Sequence, residues 1–148
     1  MRAGELAEPF PTVGLHTRTI DAARLMADRN LPGVIVVDDS GRPAAILDGT
    51  QVLRMAIPSY CQEDPALARV VDEAAADLFL RGVESRSVAD CLSEGRRDLP
   101  VVEPQATVLE VAALMAVTRT PLVAVAEKGQ PLIGAITLDA LLDRMLAA

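Results

Sequence analysis

Aromatic side chains are almost missing from this chain of 148 residues: Phe10, Tyr60 and Phe79 are the whole set, and tryptophan is absent. That removes the aromatic platforms on which single-stranded bases stack. Positive charge is also scarce. Fourteen Lys and Arg against 21 Asp and Glu give a formal net charge of −7, which repels phosphate backbones and anionic lipid. No nucleic-acid partner is expected, and the adjacent Arg96 and Arg97 are the one pair that suggests a local anion site. Histidine occurs once, at His16, and cysteine twice, at Cys61 and Cys91, without CxxC spacing. Reduced, partly buried thiols are the expectation, with a thiol sensor as a lesser alternative and no metal site. No apolar run reaches the ~18 residues of a membrane span, and the opening Met-Arg-Ala-Gly-Glu-Leu lacks a signal peptide's apolar stretch. A soluble cytoplasmic chain without direct membrane insertion is expected.

Catalytic patterns are missing as well. There is no Gly-x-Ser-x-Gly frame, no P-loop and no Gly-x-Gly-x-x-Gly, and His16 has no partner with which to form a nucleophile–base pair. The chain is not expected to be an enzyme.

What the chain does have is a repeat. Residues 20–26 read Ile-Asp-Ala-Ala-Arg-Leu-Met and residues 109–115 read Leu-Glu-Val-Ala-Ala-Leu-Met, in register at a shift of 89. The same shift carries Pro32 onto Pro121, Val34 onto Val123, Val36 onto Val125 and Leu47 onto Ile136. Units this short bury too little apolar surface alone, so they are expected to pack on each other and leave clefts at their seam.

Patterning divides the chain into a first repeat at 1–59, an inserted helical linker at 60–86 and a second repeat at 87–148. In the first, 3–7 reads as a helical turn and Pro11-Thr12-Val13 as an extended stretch. A helix over 19–30 carries Ile20, Ala23, Met26 and Ala27 on one face. Strands at 34–37 and 44–47 flank a tight turn, and a helix with Val52, Leu53 and Ala56 ends near Pro58. In the second, Ser87 to Leu92 reads as a turn and Pro100-Val101-Val102 as extended. Thr107 and Glu110 form a capping box ahead of a helix striped by Val108, Val111, Ala112 and Met115. Strands at 122–126 and 132–137 and a last helix with Leu141, Leu142 and Met145 follow. In the linker, Asp64-Pro65 opens a helix whose apolar face (Leu67, Val70, Val71, Ala74, Leu78, Phe79) needs cover, so a dimer clamp is one possibility. The order predicts an α+β fold: two β-α-β-β-α units related by a pseudo-two-fold axis, with an inserted linker helix.

These residues resemble the tandem cystathionine-β-synthase (CBS) domain pair, or Bateman module. The likeness rests on Thr-Val-Leu-Glu-Val-Ala-Ala-Leu-Met at 107–115, Thr-Pro-Leu-Val-Ala-Val-Ala at 120–126 and Gly-Gln-Pro-Leu-Ile-Gly-Ala-Ile-Thr at 129–137. The resemblance implies a non-catalytic regulatory module, commonly a homodimer. Such modules bind an adenosine-type ligand (AMP, ADP, ATP, S-adenosylmethionine or cyclic di-AMP) in one or both clefts and control a membrane transporter or cytosolic enzyme. No cofactor is required.

The family's ligand signature is Gly, two apolar residues, Thr or Ser, two further residues, then Asp. In the second repeat it falls on Gly134 to Ala140: Thr137 is in place, Ala140 stands where the carboxylate belongs, and Asp139 is one residue early. A one-residue offset turns a helical side chain by ~100°, and capping the helix is the simpler role for Asp139. In the first repeat Asp48 stands where the hydroxyl belongs and Gln51 where the carboxylate belongs, with Thr50 between them. An acid repels phosphate there, whereas Gln51 suits a ribose hydroxyl, and Asp48-Gly49-Thr50 also reads as a plain helix entry. By the same resemblance Pro11, Thr12, Val13 and Pro32, and Pro100, Val101, Val102, Thr120 and Pro121, line adenine pockets, with Arg119 as a phosphate contact. The departures from the signature keep open a second reading, a ligand-independent dimerisation or docking module with degenerate nucleotide sites.

Overall fold

The computed structural model describes residues 1–57, 59–70, 77–78 and 81–147. Its elements run α1 (Ala3–Leu6), β1 (Thr12–Gly14), α2 (Thr19–Asp28), β2 (Gly33–Val37), β3 (Pro43–Asp48), α3 (Gly49–Ala56) and α4 (Ser59–Glu63). A 3-10 turn (Pro65–Val70), α5 (Val88–Glu94), β4 (Val101–Val102), α6 (Val108–Thr118), β5 (Leu122–Val125), β6 (Gly134–Thr137) and α7 (Leu138–Leu146) follow. The α+β class holds, with two three-stranded sheets in the orders β1-β2-β3 and β4-β5-β6. β4 runs parallel to β5, with Val101 opposite Ala124, and β5 runs antiparallel to β6, with Leu122 opposite Thr137 and Val125 opposite Gly134. No described helix is long and apolar enough to cross a membrane.

The chain forms two compact units that exchange segments between the sequence repeats. One unit comprises Met1–Thr12, Ile35–Ile46 and Asp98–Ala148. Its β5 is buried at every position, so side chains alternate between two apolar layers. Val123, Val125 and Ile136 face Val111, Met115 and Leu141 of the helices. Leu122, Ala124 and Ala135 face Ile35, Ile46 and Leu99. The opening helix of the first repeat belongs here, since Ala3 N–H donates to Ala106 O at 2.8 Å, and Glu8 and Ala135 exchange backbone bonds at 3.0 and 2.9 Å.

The other unit comprises Val13–Val34 and Leu47–Arg97, with α2, α3 and α5 packed together. The opening helix of the second repeat belongs to this one. Val88 N–H donates to Thr17 O at 2.8 Å, the counterpart of the Ala3–Ala106 bond, because Thr17 and Ala106 are 89 positions apart.

Several expectations are corrected. Ser87 to Leu92 is no turn: Val88–Glu94 is a helix, opened by a full capping box in which Ser87 Oγ accepts from Asp90 N–H and Asp90 accepts from Ser87 N–H. Serine three residues before an acid carried that signal. At Thr107 only half of the expected box forms, the hydroxyl accepting from Glu110 N–H. Of the expected α2 stripe Met26 is buried, Ile20 and Ala23 are half-buried and Ala27 is exposed, and Thr19 and Ala22 complete the buried face. Strand β6 starts at Gly134, two residues later than expected. The linker starts with α4 and a 3-10 turn where a helix opening at Asp64-Pro65 is expected, and the expectations for 71–76, 79 and 80 lie outside the described residues.

Candidate functional site

Both repeats pass from a strand into a helix through one residue with extended backbone. In the second repeat that residue is Thr137. Its Oγ1 accepts from Ala140 N–H at 3.2 Å, and Leu138 N–H donates to Pro121 O at 2.9 Å. In the first it is Asp48, whose carboxylate accepts from Gln51 N–H at 2.9 Å, while Gly49 N–H donates to Pro32 O at 3.2 Å. Every atom pair is matched at a shift of 89. So are the only described non-glycine residues with positive φ, Asn30 at 53° and Arg119 at 54°, which close α2 and α6 before each proline. The repeat is therefore preserved down to single hydrogen bonds.

Chemically the two turns differ. Asp48 is engaged at both oxygens: Oδ1 also accepts from Thr50 Oγ1 at 2.6 Å, and Oδ2 pairs with the Arg97 guanidinium. Gln51 Oε1 accepts from Asp48 N–H at 2.8 Å and its Nε2 donates to Gly95 O at 2.7 Å. Both Asp48 oxygens are thus engaged by groups of the chain itself, whereas Gln51 keeps one amide N–H and one carbonyl lone pair. Arg97, expected with Arg96 as an anion site, is committed to a carboxylate instead. Sequence reasoning missed this pair because 49 positions separate its members and nothing local joins them.

Partial burial raises the Asp48 carboxyl, but hydrogen bonds from Thr50, Arg97 and the Gln51 N–H outweigh it and hold the group below its ordinary value of 3.8. A carboxylate lowered by folding stabilises above its unfolded pKa, and that stabilisation is lost as pH falls through the folded one. Asp48→Asn keeps the cap and loses the ion pair, so it is expected to melt lower at pH 7 by about 1 kcal/mol. Melts across pH should show the difference closing below pH 3.8; a difference constant with pH would refute the pairing.

Thr137 is not saturated. Its hydroxyl proton has no acceptor among the described residues, so it remains a donor beside the N-terminal end of α7. Asp139 is exposed in the first turn of α7 and does not cap it; the expected cap role belongs to Thr137, because a cap must precede the helix. Ala140 contributes only its N–H. Arg119, Thr120 and Pro121 come together with Leu138 on a groove of about 420 Å³ whose other walls are apolar residues of α6 and α7. Thr120 is buried and its hydroxyl donates to Thr118 O at 3.3 Å, which occupies it. Arg119 is exposed and left-handed. A non-glycine residue is strained there by about 1 kcal/mol, so Arg119→Gly is expected to raise the melting temperature by about 2–4 °C, read by calorimetry, while removing the groove's one cation.

The other expected site residues lie elsewhere. Pro11 O accepts from Ile35 N–H at 3.4 Å, Thr12 is exposed and Val13 is buried. Pro100 O accepts from Ala124 N–H at 2.9 Å. Val101 and Val102 line a separate groove with the turns at 38–43 and 126–130. Both cysteines are free and buried. Burial, more than any other influence, pushes the Cys91 thiol up, and Cys91 packs on Thr19 Oγ1 and Met55 Sδ.

Two repeats that each carry the same strand-to-helix turn beside a proline define a tandem-repeat α+β module. Residues 3–57 and 88–147 both match the CBS domain family, and the chain belongs to that family as a tandem pair. It is similar to a CBS-domain-containing protein of unknown function from Kribbella flavida, at 46% identity over 99% of each chain and a TM-score of 0.89. It shares its fold with a CBS-domain membrane protein's CBS domain from Sphaerobacter thermophilus, at 20% identity over 100% of this chain and 90% of that one and a TM-score of 0.72. CBSX2, solved in complex with AMP, shows the same fold at 17% identity over 98% of this chain and 96% of that one, with a TM-score of 0.69. No curated protein matches the chain.

Proposed function

We propose that this CBS pair is a non-catalytic regulatory module of the cytoplasm that binds an adenosine-type ligand at the second repeat and reports it to a partner transporter or enzyme. One observation carries the reading: Thr137 caps α7 and still has a hydroxyl proton to give, whereas its twin Asp48 is a carboxylate, engaged at both oxygens and with no proton to donate. A phosphate at Thr137 gains a donor and the positive end of α7. A phosphate at Asp48 meets a carboxylate. The AMP complex of CBSX2 supports the ligand class. The test is a melting screen with AMP, ADP, ATP, S-adenosylmethionine and cyclic di-AMP. A ligand at about 100 times its Kd stabilises by about 2.7 kcal/mol, a rise of about 5–10 °C at this size. Flat curves with all five would end this reading.

A ligand-independent dimerisation module is favoured by a different observation. Leu138, Leu142 and Met145 lie on one face of α7 and are 40%, 43% and 53% exposed, beside the apolar groove. A second copy of the chain is the occupant we assign to that face. Leu142→Glu with Met145→Glu is expected to convert a dimer to a monomer in light scattering without changing the far-ultraviolet circular dichroism. A wild-type monomer would overturn this second reading.

A further inference from the structure

The groove lined by Val101 and Val102 has no part in the proposed nucleotide reading. It lies toward the far ends of β4 and β5, since Val102 is opposite Val125 and Val125 opposite Gly134, whereas Thr137 is opposite Leu122. Its volume is about 450 Å³. The walls are tied together. Leu132 N–H donates to Gly41 O at 2.9 Å, joining the two turns. Asp38 accepts from the N–H groups of Ser40 and Arg42 and from Arg42 Nε at 2.8 Å, fixing the first turn.

Three features of this groove are unspent. Val101 leaves 44% of its surface in water, and its counterpart 89 positions earlier is a polar residue, Thr12. β4 is an edge strand whose Pro100 and Val102 carbonyls accept from Ala124 and Ala126, so alternation turns Val101 N–H and C=O to the open edge, where no described backbone group meets them. Glu103, Glu127 and Lys128 make no ion pair among the described residues, although they stand on the same groove.

An apolar floor, a free N–H with a cation, and two free carboxylates complement one kind of molecule. We propose that this groove binds a free aliphatic α-amino acid. Its carboxylate meets Lys128 and Val101 N–H, its ammonium meets Glu103 and Glu127, and its side chain covers Val101. A neutral solute leaves the charges unanswered. A peptide strand needs a longer edge than the two residues of β4.

The test is an amide-resolved NMR titration of the full chain with L-valine. Saturable shifts are expected at Val101, Glu103 and Lys128, with Lys128→Ala and Glu103→Gln each weakening binding about tenfold while their spectra stay folded. Acetate and methylammonium, the separate halves of the zwitterion, should not reproduce the shifts, and AMP should leave these amides in place whatever it does near Thr137. No saturable shift by tens of millimolar L-valine overturns the proposal. So do equal shifts with acetate alone, unchanged binding in both variants, or tighter binding of a valine peptide than of valine.

Discussion

Gly134→Ala is expected to destabilise the protein by about 2 kcal/mol, lowering its melting temperature by about 4–8 °C. A Cβ built at Gly134 falls 2.8 Å from Glu8 O, 3.2 Å from its carbonyl carbon and 3.4 Å from Ala7 Cβ. The nearest obstacle is backbone, which cannot rotate aside as a side chain does. That backbone is held by the pair of bonds between Glu8 and Ala135, so admitting a methyl group means opening the ladder that attaches the opening segment of the chain to β6. The counterpart at the shift of 89 is Ala45, which is fully buried with its methyl accommodated. Ala45→Gly is expected to cost about 1–2 kcal/mol, from chain entropy and the loss of one buried methyl group, with no backbone to displace. Calorimetric melts of both variants check this. A Gly134→Ala protein that melts at or above the wild-type temperature would mean that the close approach at Gly134 is not a constraint.

The repeat was legible in the residues because its period was carried by apolar positions that folding buries, such as Val34 with Val123 and Leu47 with Ile136. Strand β5 and helix α6 followed from local composition, whereas α7 opens at Thr137, two residues before the cap expected at Asp139. What could not be read was set by distance along the chain. Nothing in residues 1–12 says that they complete the unit of 98–148, because that choice rests on backbone bonds such as Ala3 to Ala106. The α2 face was legible only in part for a related reason. Thr19 is polar by composition, yet it is fully buried with its hydroxyl against Cys91 Sγ at 3.7 Å, a partner 72 positions away. The site was half legible. The signature pointed to Thr137 and Asp48 as equivalent, and the structure gives both the same helix-opening role. It could not show that Arg97 and Gly95 engage the side chains of the first of these turns.

Thr137→Val should separate the structural role of that residue from its proposed binding role. Valine keeps the shape of threonine and removes the oxygen. The cap on Ala140 N–H is lost, which costs about 1 kcal/mol, or about 2–4 °C in melting temperature. Thr137→Ser retains an acceptor and a donor and should recover most of that loss. On top of the cap, a phosphate held by the Thr137 hydroxyl loses a charge-assisted hydrogen bond in the valine variant, worth about 1.5–3 kcal/mol, or about ten- to a hundredfold in Kd. Asp48→Asn, which touches only the first-repeat turn, should leave nucleotide affinity unchanged. The serine variant decides between cause and coincidence: if affinity tracks the hydroxyl through Thr137, Thr137→Ser and Thr137→Val in that order, the ligand sits at the start of α7. Should affinity instead survive Thr137→Val and fall in Asp48→Asn, the first-repeat turn must open its Arg97 pair to receive the ligand, and the two repeats exchange roles.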